Sequence, residues 1–165
     1  MVASEQEELR REIAGLVDKL GPGRSSLIPI LQDIKRRHRG IEPETMQVVA
    51  EMLDIHPVEV HSVASFYAFL HGAPQGAHVI RLCNTLSCDF AGKDAVADAL
   101  RAELGIDFGE TTADGQITLE WASCIGMCDQ GPALLVDDEV HTRVTPGDVS
   151  TIVAACRAAE GRADA

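Results

Sequence analysis

The sequence predicts an α/β protein built from an N-terminal helical bundle and a following α/β domain. Apolar residues recur with helical spacing up to the stretch HGAPQGAH, whose glycines and proline interrupt the pattern. Beyond that stretch, short apolar runs typical of strands alternate with helical segments. Two pairs of cysteines follow two of the predicted strands. These observations place a helical bundle at residues 1–73 and a second domain at residues 74–165.

Four helices joined by short loops are predicted in the N-terminal part. The first is ended by GPGRSS, and its apolar face consists of Leu9, Ile13, Leu16, Val17 and Leu20. The second is expected to run from about Ser26 to His38, with Gly40 closing it. Pro43 and Pro57 open the third and fourth, since proline suits the first helical position. Amphipathic helices with short connections form a bundle.

The second domain is predicted to mix strands with helices. HVIRL reads as a strand ending at Cys83, Ala91 to Leu104 as an amphipathic helix, and QITLEW as a second strand. ALLVDD and VHTRV flank an acidic turn at Asp138-Glu139 as a hairpin, and a last helix starts at Pro146. This order gives a compact α/β sandwich. Both cysteine pairs are expected in loops just beyond strand ends, where open α/β sheets place their sites.

Charge and hydropathy exclude several classes of function. The formal net charge is -12, and residues 76–165 carry 15 acidic against 6 basic side chains. Such acidity repels nucleic acid and anionic membranes. The chain has no apolar run long enough for a secretory signal or a membrane span. The sequence therefore predicts a soluble, cytoplasmic protein that binds neither nucleic acid nor membrane.

Four cysteines are the candidate functional residues. Cys83 and Cys88 are separated by four residues, and Cys124 and Cys128 by three. In a reducing compartment such pairs serve as metal ligands or redox groups more often than as disulfides. Four soft thiolates fill either a tetrahedral zinc site or a [2Fe-2S] cluster. Zinc sites typically use two-residue gaps, whereas two separate loops suit the wider cluster. The spacing favours the cluster and leaves zinc and a redox dithiol open.

The alternatives to an iron–sulfur protein are a DNA-binding regulator and a thiol oxidoreductase. PETMQVVAEMLDIHPVEVHSVASF fits a DNA-binding helix-turn-helix, which would make the chain a zinc-binding or redox-sensing regulator. The candidate recognition helix after Pro57 offers Glu59 and His61 and no Lys or Arg, which disfavours DNA binding. A thiol oxidoreductase would be expected to carry Cys-x-x-Cys, and neither gap fits.

The remaining cysteine and several aromatic residues are predicted to be structural. Cys156 lies among Val153, Ala154 and Ala155 in the last helix, where free cysteine packs as a small apolar residue. Four aromatic side chains are interpreted as core or interface anchors: Phe66, Tyr67, Phe69 and Trp121.

Three stretches of the sequence resemble a known family. CNTLSCDFAGKDAV, with TLEWASCIGMCDQGPALLVDDEVHTRVTP, closely resembles the thioredoxin-like [2Fe-2S] ferredoxins that form the 24 kDa (E-type) subunit of NADH:quinone oxidoreductase and its soluble relatives. HPVEVHSVASFYAFL resembles a recurring stretch of the same family, so the resemblance covers nearly the whole chain. It implies a four-helix N-terminal extension before a thioredoxin-like domain. Pro132 is similar in position to the cis-proline of thioredoxins.

The resemblance also implies a cofactor and partners. It makes Cys83, Cys88, Cys124 and Cys128 the ligands of a [2Fe-2S] cluster. SCIGMCDQGP is more similar to members from soluble NAD-linked hydrogenases and formate dehydrogenases than to the respiratory form. The chain has no glycine-rich dinucleotide motif, and a flavin must stand between a hydride donor and a one-electron centre. The expected partner is a flavoprotein subunit with FMN, an NAD(H) site and a [4Fe-4S] cluster, within a larger hetero-oligomer. The chain is expected to transfer electrons and not to catalyse a reaction alone.

Overall fold

The structure, a computed structural model, describes residues 3–70 and 73–159. The chain divides into two compact units, Met1–Pro74 and Gln75–Ala165. Each unit has its own hydrophobic core. No helix in the described ranges is both long and apolar enough to cross a membrane.

The described part of the N-terminal unit is helical. It contains α1 (Ala3–Leu20), α2 (Leu27–His38), α3 (Pro43–Leu53) and α4 (Pro57–Phe66), with 3-10 turns at Arg24–Ser26 and Ala68–Leu70. Helix α1 contacts α2 and α3, and α3 contacts α4. Their apolar faces meet in one core, whose fully buried side chains include Ile13, Ile30, Leu31, Ile34, Ile41 and Val49.

The ends of these helices follow from local chemistry. Pro43 and Pro57 occupy the first turns of α3 and α4, as predicted. Helix α2 begins one residue later than expected, because Ser26 closes a 3-10 turn and donates its hydroxyl to the Leu20 carbonyl at 2.8 Å. The prediction that Gly40 closes α2 is wrong. Arg39 takes the left-handed conformation instead, with φ 58°.

A four-stranded sheet forms the centre of the C-terminal unit. Strands β1 (His78–Cys83), β2 (Ile117–Ala122), β3 (Leu134–Val136) and β4 (Glu139–His141) lie in the order β2-β1-β3-β4. Strand β1 is parallel to β2 and antiparallel to β3, and β3 and β4 form a hairpin. Parallel strands need a crossover connection, which here is helical.

Helices α5 (Leu86–Phe90) and α6 (Lys93–Leu104) supply that crossover, and α7 (Val149–Ala159) follows a 3-10 turn at Pro146–Asp148. Helices α6 and α7 contact each other. Their core with the sheet includes Ile80, Leu82, Leu100, Ile117, Leu119, Leu134, Val149 and Val153. Cys156 belongs to this core with 4% of its surface exposed, which confirms that it packs as a small apolar residue.

The predicted elements of this unit occur in the predicted order, with α5 as an additional helix, but several details differ. The last helix, expected from Pro146, begins at Val149, because Pro146–Asp148 form a 3-10 turn. The helix expected from Ala91 begins at Lys93, because Gly92 (φ 94°) separates it from α5. The hairpin turn expected at Asp138-Glu139 lies one residue earlier, with Asp137 at φ 54°. Cys88, expected in a loop, lies on the short helix α5.

The four aromatic side chains singled out in the sequence are partly or largely exposed. Phe66 and Phe69 expose 80% and 52% of their surfaces, so the core alternative is wrong for these two. The rings of Phe66 and Tyr67 meet edge to face, with centroids 5.0 Å apart. Trp121 stacks on Phe108 instead of entering the core. A role of the exposed rings at an interface stays a prediction.

Candidate metal centre

The two parallel strands bring both cysteine pairs to one edge of the sheet. Cys83 is the last residue of β1 and lies opposite Ala122, the last residue of β2. The N–H of Asn84 donates to the Ala122 carbonyl at 2.8 Å, which continues the pairing past the strand ends. The carboxyl ends of parallel strands meet at the same edge. The segment after β1 and the loop after β2 therefore start side by side. The second cysteine pair begins in that loop, at Cys124.

The first pair is buried. Cys83 and Cys88 each expose almost no surface, and Cys88 lies on α5. The Sγ of Cys83 lies 3.2 Å from the hydroxyl oxygen of Thr85. The two thiols also interact with each other.

The second pair is exposed and closely spaced. The Sγ atoms of Cys124 and Cys128 lie 3.3 Å apart in the loop after β2. Gly126, between them, has φ 89°, a conformation that glycine adopts without steric cost and that other residues rarely take. This glycine allows the loop to turn back and present both sulfurs together.

The loop after β2 also reaches the first pair. The backbone N–H of Ile125, which follows Cys124, hydrogen-bonds to the Cys83 thiol. The pKa of Cys128 is raised mainly by the neighbouring Cys124 and further by Cys83, while the Ser87 side chain acts in the opposite direction. The structure thus brings together all four cysteines that the sequence singles out.

Burial and hydrogen bonds shift the pKa values of the two buried thiols in opposite directions. Burial raises the pKa of the Cys83 thiol, but hydrogen bonds from the Thr85 hydroxyl and the Ile125 N–H lower it by more, so the pKa lies below its ordinary value. Burial also raises the pKa of Cys88. There the N–H of Ala133 offsets burial only in part, and the neighbouring Cys83 raises the pKa further.

The segment before β3 closes the site from another side. The N–H of Cys83 donates to the Ala133 carbonyl at 3.0 Å, and the Gly131-Pro132 peptide is cis. Gly131 packs closely, since a Cβ there would lie 3.1 Å from Ala91 Cβ and 3.4 Å from Cys88 Sγ. Only a residue without a side chain fits this approach unchanged.

This arrangement fits a binuclear cluster better than a single ion. The cysteines form a two-plus-two set on separate segments, with N–H and hydroxyl donors aimed at sulfur. Thiolates in two pairs are the donor set of a [2Fe-2S] cluster, and hydrogen bonds to sulfur are characteristic of such sites.

Sequence reasoning missed several parts of the site. It identified the four cysteines but assigned no contact to Thr85, Ile125, Gly131 or Ala133. The stretch from Cys124 to Pro132 contains two glycines, which was the available signal of close backbone approach. The backbone donors carry no signal in the sequence, because any residue type except proline can supply an N–H.

Known proteins resemble this chain in sequence and fold. The family model described as thioredoxin-like [2Fe-2S] ferredoxin matches residues 13–157. The chain is 34% identical over 132 residues to the E-type subunit of the NADH-quinone oxidoreductase of Pseudomonas aeruginosa, with 80% of each chain covered. It is 35% identical over 153 residues to the alpha subunit of the NAD-reducing hydrogenase HoxS of Cupriavidus necator. That match covers 93% of this chain and 25% of the hydrogenase subunit.

A solved structure supports the fold. The crystal structure of an NAD+-reducing [NiFe]-hydrogenase in the air-oxidized state matches with a TM-score of 0.68 at 23% identity. The match covers 78% of this chain and 22% of the hydrogenase chain, so this chain spans about a quarter of both hydrogenase subunits. At this identity the likeness shows the fold alone.

Proposed function

The chain belongs to the thioredoxin-like [2Fe-2S] ferredoxin family, and on this premise we propose that it is a one-electron-transfer subunit of an NAD(P)-linked oxidoreductase complex. Its cofactor is a [2Fe-2S] cluster, which accepts and releases one electron at a time when bound. One observation carries the proposal. A buried thiol pair after β1 and an exposed thiol pair after β2 meet at one edge of the sheet.

We assign the ligands in two pairs. Cys83 and Cys88 would hold one iron, and Cys124 and Cys128 the other. This assignment is supported by the 3.3 Å between the second pair of sulfurs and by the contact of the Ile125 N–H with Cys83. It leaves Cys156 in the hydrophobic core.

The chain's own groups tune the site. Donors from Thr85, Ile125 and Ala133 point at the sulfurs of the buried pair. Such donors stabilise negative charge on sulfur and favour the reduced state. The excess of acidic side chains in residues 76–165, 15 against 6 basic, acts in the opposite direction.

The partner proposed for this chain is a flavoprotein subunit. One relative is named as a subunit of NADH-quinone oxidoreductase and another as a subunit of an NAD-reducing hydrogenase, both multi-subunit complexes. Nicotinamide transfers a hydride, so a flavin must convert it to single electrons before this chain can accept one. We therefore propose a partner with FMN, an NAD(H) site and a [4Fe-4S] cluster, located with this chain in the cytoplasm.

Exposed apolar side chains suggest where the partner binds. Leu86 and Phe90 lie on α5 on either side of Cys88 and expose 68% and 86% of their surfaces. Phe66 and Phe69 are similarly exposed in the N-terminal unit. Large apolar side chains at the surface are the anchors that protein interfaces favour. We propose that the partner contacts both sets, whereas the acidic remainder of the C-terminal unit stays solvated.

The relatives include subunits of two types of parent complex. The identities to the quinone-linked and hydrogenase-linked relatives are 34% and 35%, so they do not separate the two. The SCIGMCDQGP loop favours the soluble hydrogenase or formate dehydrogenase type.

We also propose that the two units are separately folding domains.

Electron transfer with and without the partner tests this function. The isolated holo chain should oxidise no NADH with artificial acceptors, because it has no hydride acceptor. A tagged full-length chain purified from its native cells should bring down an FMN-containing protein, and that complex should oxidise NADH and reduce artificial acceptors. Flavin bound stoichiometrically by the isolated chain would contradict the proposal that the flavin site lies on the partner.

A further inference from the structure

Lys93 is a buried lysine in the first turn of α6. Only 8% of its side chain is exposed. Its Nζ donates to Asn84 Oδ1 at 2.7 Å and lies 2.6 Å from Asp89 Oδ1, with a further carboxylate, that of Asp94, at 3.5 Å. A lysine is almost never buried unless its ammonium group is paired, and these three contacts supply the pairing. The site proposed above assigns this residue no role.

The two shortest contacts flank the first cysteine pair. Asn84 directly follows Cys83, and Asp89 directly follows Cys88. One ammonium group therefore contacts the residue that follows each cysteine of the first pair. Since both bonds are short, they restrict the separation and orientation of the two thiols.

The same ammonium group contacts the strand that leads to the second pair. Its Nζ lies 5.0 Å from the ring centroid of Trp121, near the end of β2. That ring stacks on Phe108, with centroids 3.6 Å apart and planes 8° from parallel. The Arg101 guanidinium lies 4.9 Å from the Phe108 ring. A cation is attracted to the face of an aromatic ring, so Lys93 is also held by β2, which continues to Cys124.

Lys93 also compensates negative charge beside the site. The hydrogen bond to Asp89, and the nearby charges of Asp89 and Asp94, raise the pKa of Lys93, so the side chain stays protonated. Reduction of a cluster adds one electron and makes the site one unit more negative. Removing the ammonium charge would leave two carboxylates uncompensated near that electron, which disfavours reduction.

We infer that Lys93 is a positioning residue that fixes the geometry of the Cys83–Cys88 pair and favours reduction of the cluster bound there. The inference rests on the proposed function, because it takes these cysteines as cluster ligands. A lysine with a purely structural role would contribute to the stability of the unit and leave the reduction potential unchanged.

The test compares Lys93→Gln with Lys93→Arg in the full-length holo chain. Glutamine removes the charge but keeps a hydrogen-bond donor, whereas arginine keeps the charge. Dithionite with redox mediators supplies the single electron, and the EPR spectrum of the reduced cluster reports the midpoint potential and the ligand geometry. We expect Lys93→Gln to shift the midpoint to lower potential and to change the g values, with Lys93→Arg closer to the wild type. Lys19→Gln removes the same formal charge from an exposed position on α1 and should change neither.

The outcomes separate this inference from the proposed function. A wild-type chain that binds no iron and sulfide overturns both. A wild-type cluster with the same potential and g values in Lys93→Gln overturns the inference alone. If Lys93→Gln fails to hold the cluster, Asn84→Ala decides, because it removes one contact and keeps every charge. That variant must change the g values, and an unchanged spectrum overturns the inference.

Discussion

The hydroxyl oxygen of Thr85 lies 3.2 Å from the Sγ of Cys83. Burial alone would raise the pKa of this thiol, yet the Thr85 hydroxyl and the Ile125 N–H together place it below its ordinary value. Groups that stabilise a thiolate also stabilise the extra negative charge of a reduced cluster. This contact therefore links the local sequence CNT to the redox behaviour of the proposed site.

Replacing Thr85 with valine should lower the midpoint potential of the cluster. The substitution keeps the shape of the side chain and removes one hydrogen bond to sulfur. A hydrogen bond contributes about 0.5–1.5 kcal/mol net, which corresponds to roughly 20–60 mV for a one-electron couple. An EPR-monitored redox titration measures the shift. Thr85→Ser keeps the hydroxyl and serves as the control; equal potentials in all three proteins would show that the contact does not tune the cluster.

Replacing Gly131 with alanine should destabilise the C-terminal unit and weaken retention of the cluster. The new Cβ would lie 3.1 Å from Ala91 Cβ and 3.4 Å from Cys88 Sγ, which requires the surrounding chain to shift. Overpacking of this kind costs about 1–3 kcal/mol. Urea unfolding of the apo and holo forms measures the free energy of unfolding.

A matched glycine provides the control for that experiment. At Gly147 the nearest atom to an added Cβ is Thr145 Oγ1, at 3.7 Å, an ordinary contact distance. Gly147→Ala should therefore change the free energy of unfolding little. Equal losses in the two variants would mean that close packing against Cys88 is not the cause.

The chain stripped of its cluster should keep its fold. The core of the C-terminal unit is formed by α6, α7 and the sheet and contains none of the four proposed ligands, and Cys124 and Cys128 are exposed. Removing iron with a chelator should lower the melting temperature, because the binding energy of the cluster no longer stabilises the folded chain. The far-UV circular dichroism should stay nearly unchanged. Loss of helical signal on chelation, as in small zinc-dependent domains, is the contrary result.

The order of elements was predictable from features with simple physical causes. Proline at the first helical position located α3 and α4, and the change from helical spacing to short apolar runs located β1 and β2. Helix α5 was missed, because the five residues from Leu86 to Phe90 are too few to show a period. Lys93 was missed for a different reason, since lysine is usually exposed and only the fold brings Asn84 and Asp89 to its ammonium group.

The cysteines were found because they are rare and paired, whereas their hydrogen-bond donors were not. The contact between Ile125 and Cys83 depends on how the loop after β2 folds over the end of β1. That depends on the parallel register of two strands far apart in the sequence, which no local pattern specifies.

A truncated chain that starts at Gln75 should assemble the cluster but lose co-purification with the flavoprotein. The C-terminal unit begins at this residue, and two contacts of its first residues are kept: Gln75 donates to Glu120, and the Gly76 N–H donates to Thr118 Oγ1. Iron content and the visible spectrum report cluster assembly, and pull-down reports binding. Retention of full binding would remove the partner-binding role assigned to the helical unit.

Point variants in the full-length chain refine the same prediction. Phe90→Ser should weaken binding of the partner without loss of the cluster, because the Phe90 ring is 86% exposed and contributes little to folding. Val140→Ser, at a 40% exposed position on β4, is the control and should leave binding unchanged.

Iron and acid-labile sulfide content of the anaerobically purified chain tests the central claim most directly. We expect about two irons and two sulfides per chain, the content of a [2Fe-2S] cluster, and an EPR signal after reduction. Cys83→Ser and Cys124→Ser should abolish or distort that signal, and Cys156→Ser should leave it intact. Zinc without sulfide in the wild-type protein, or an unaltered signal in Cys124→Ser, would contradict the account.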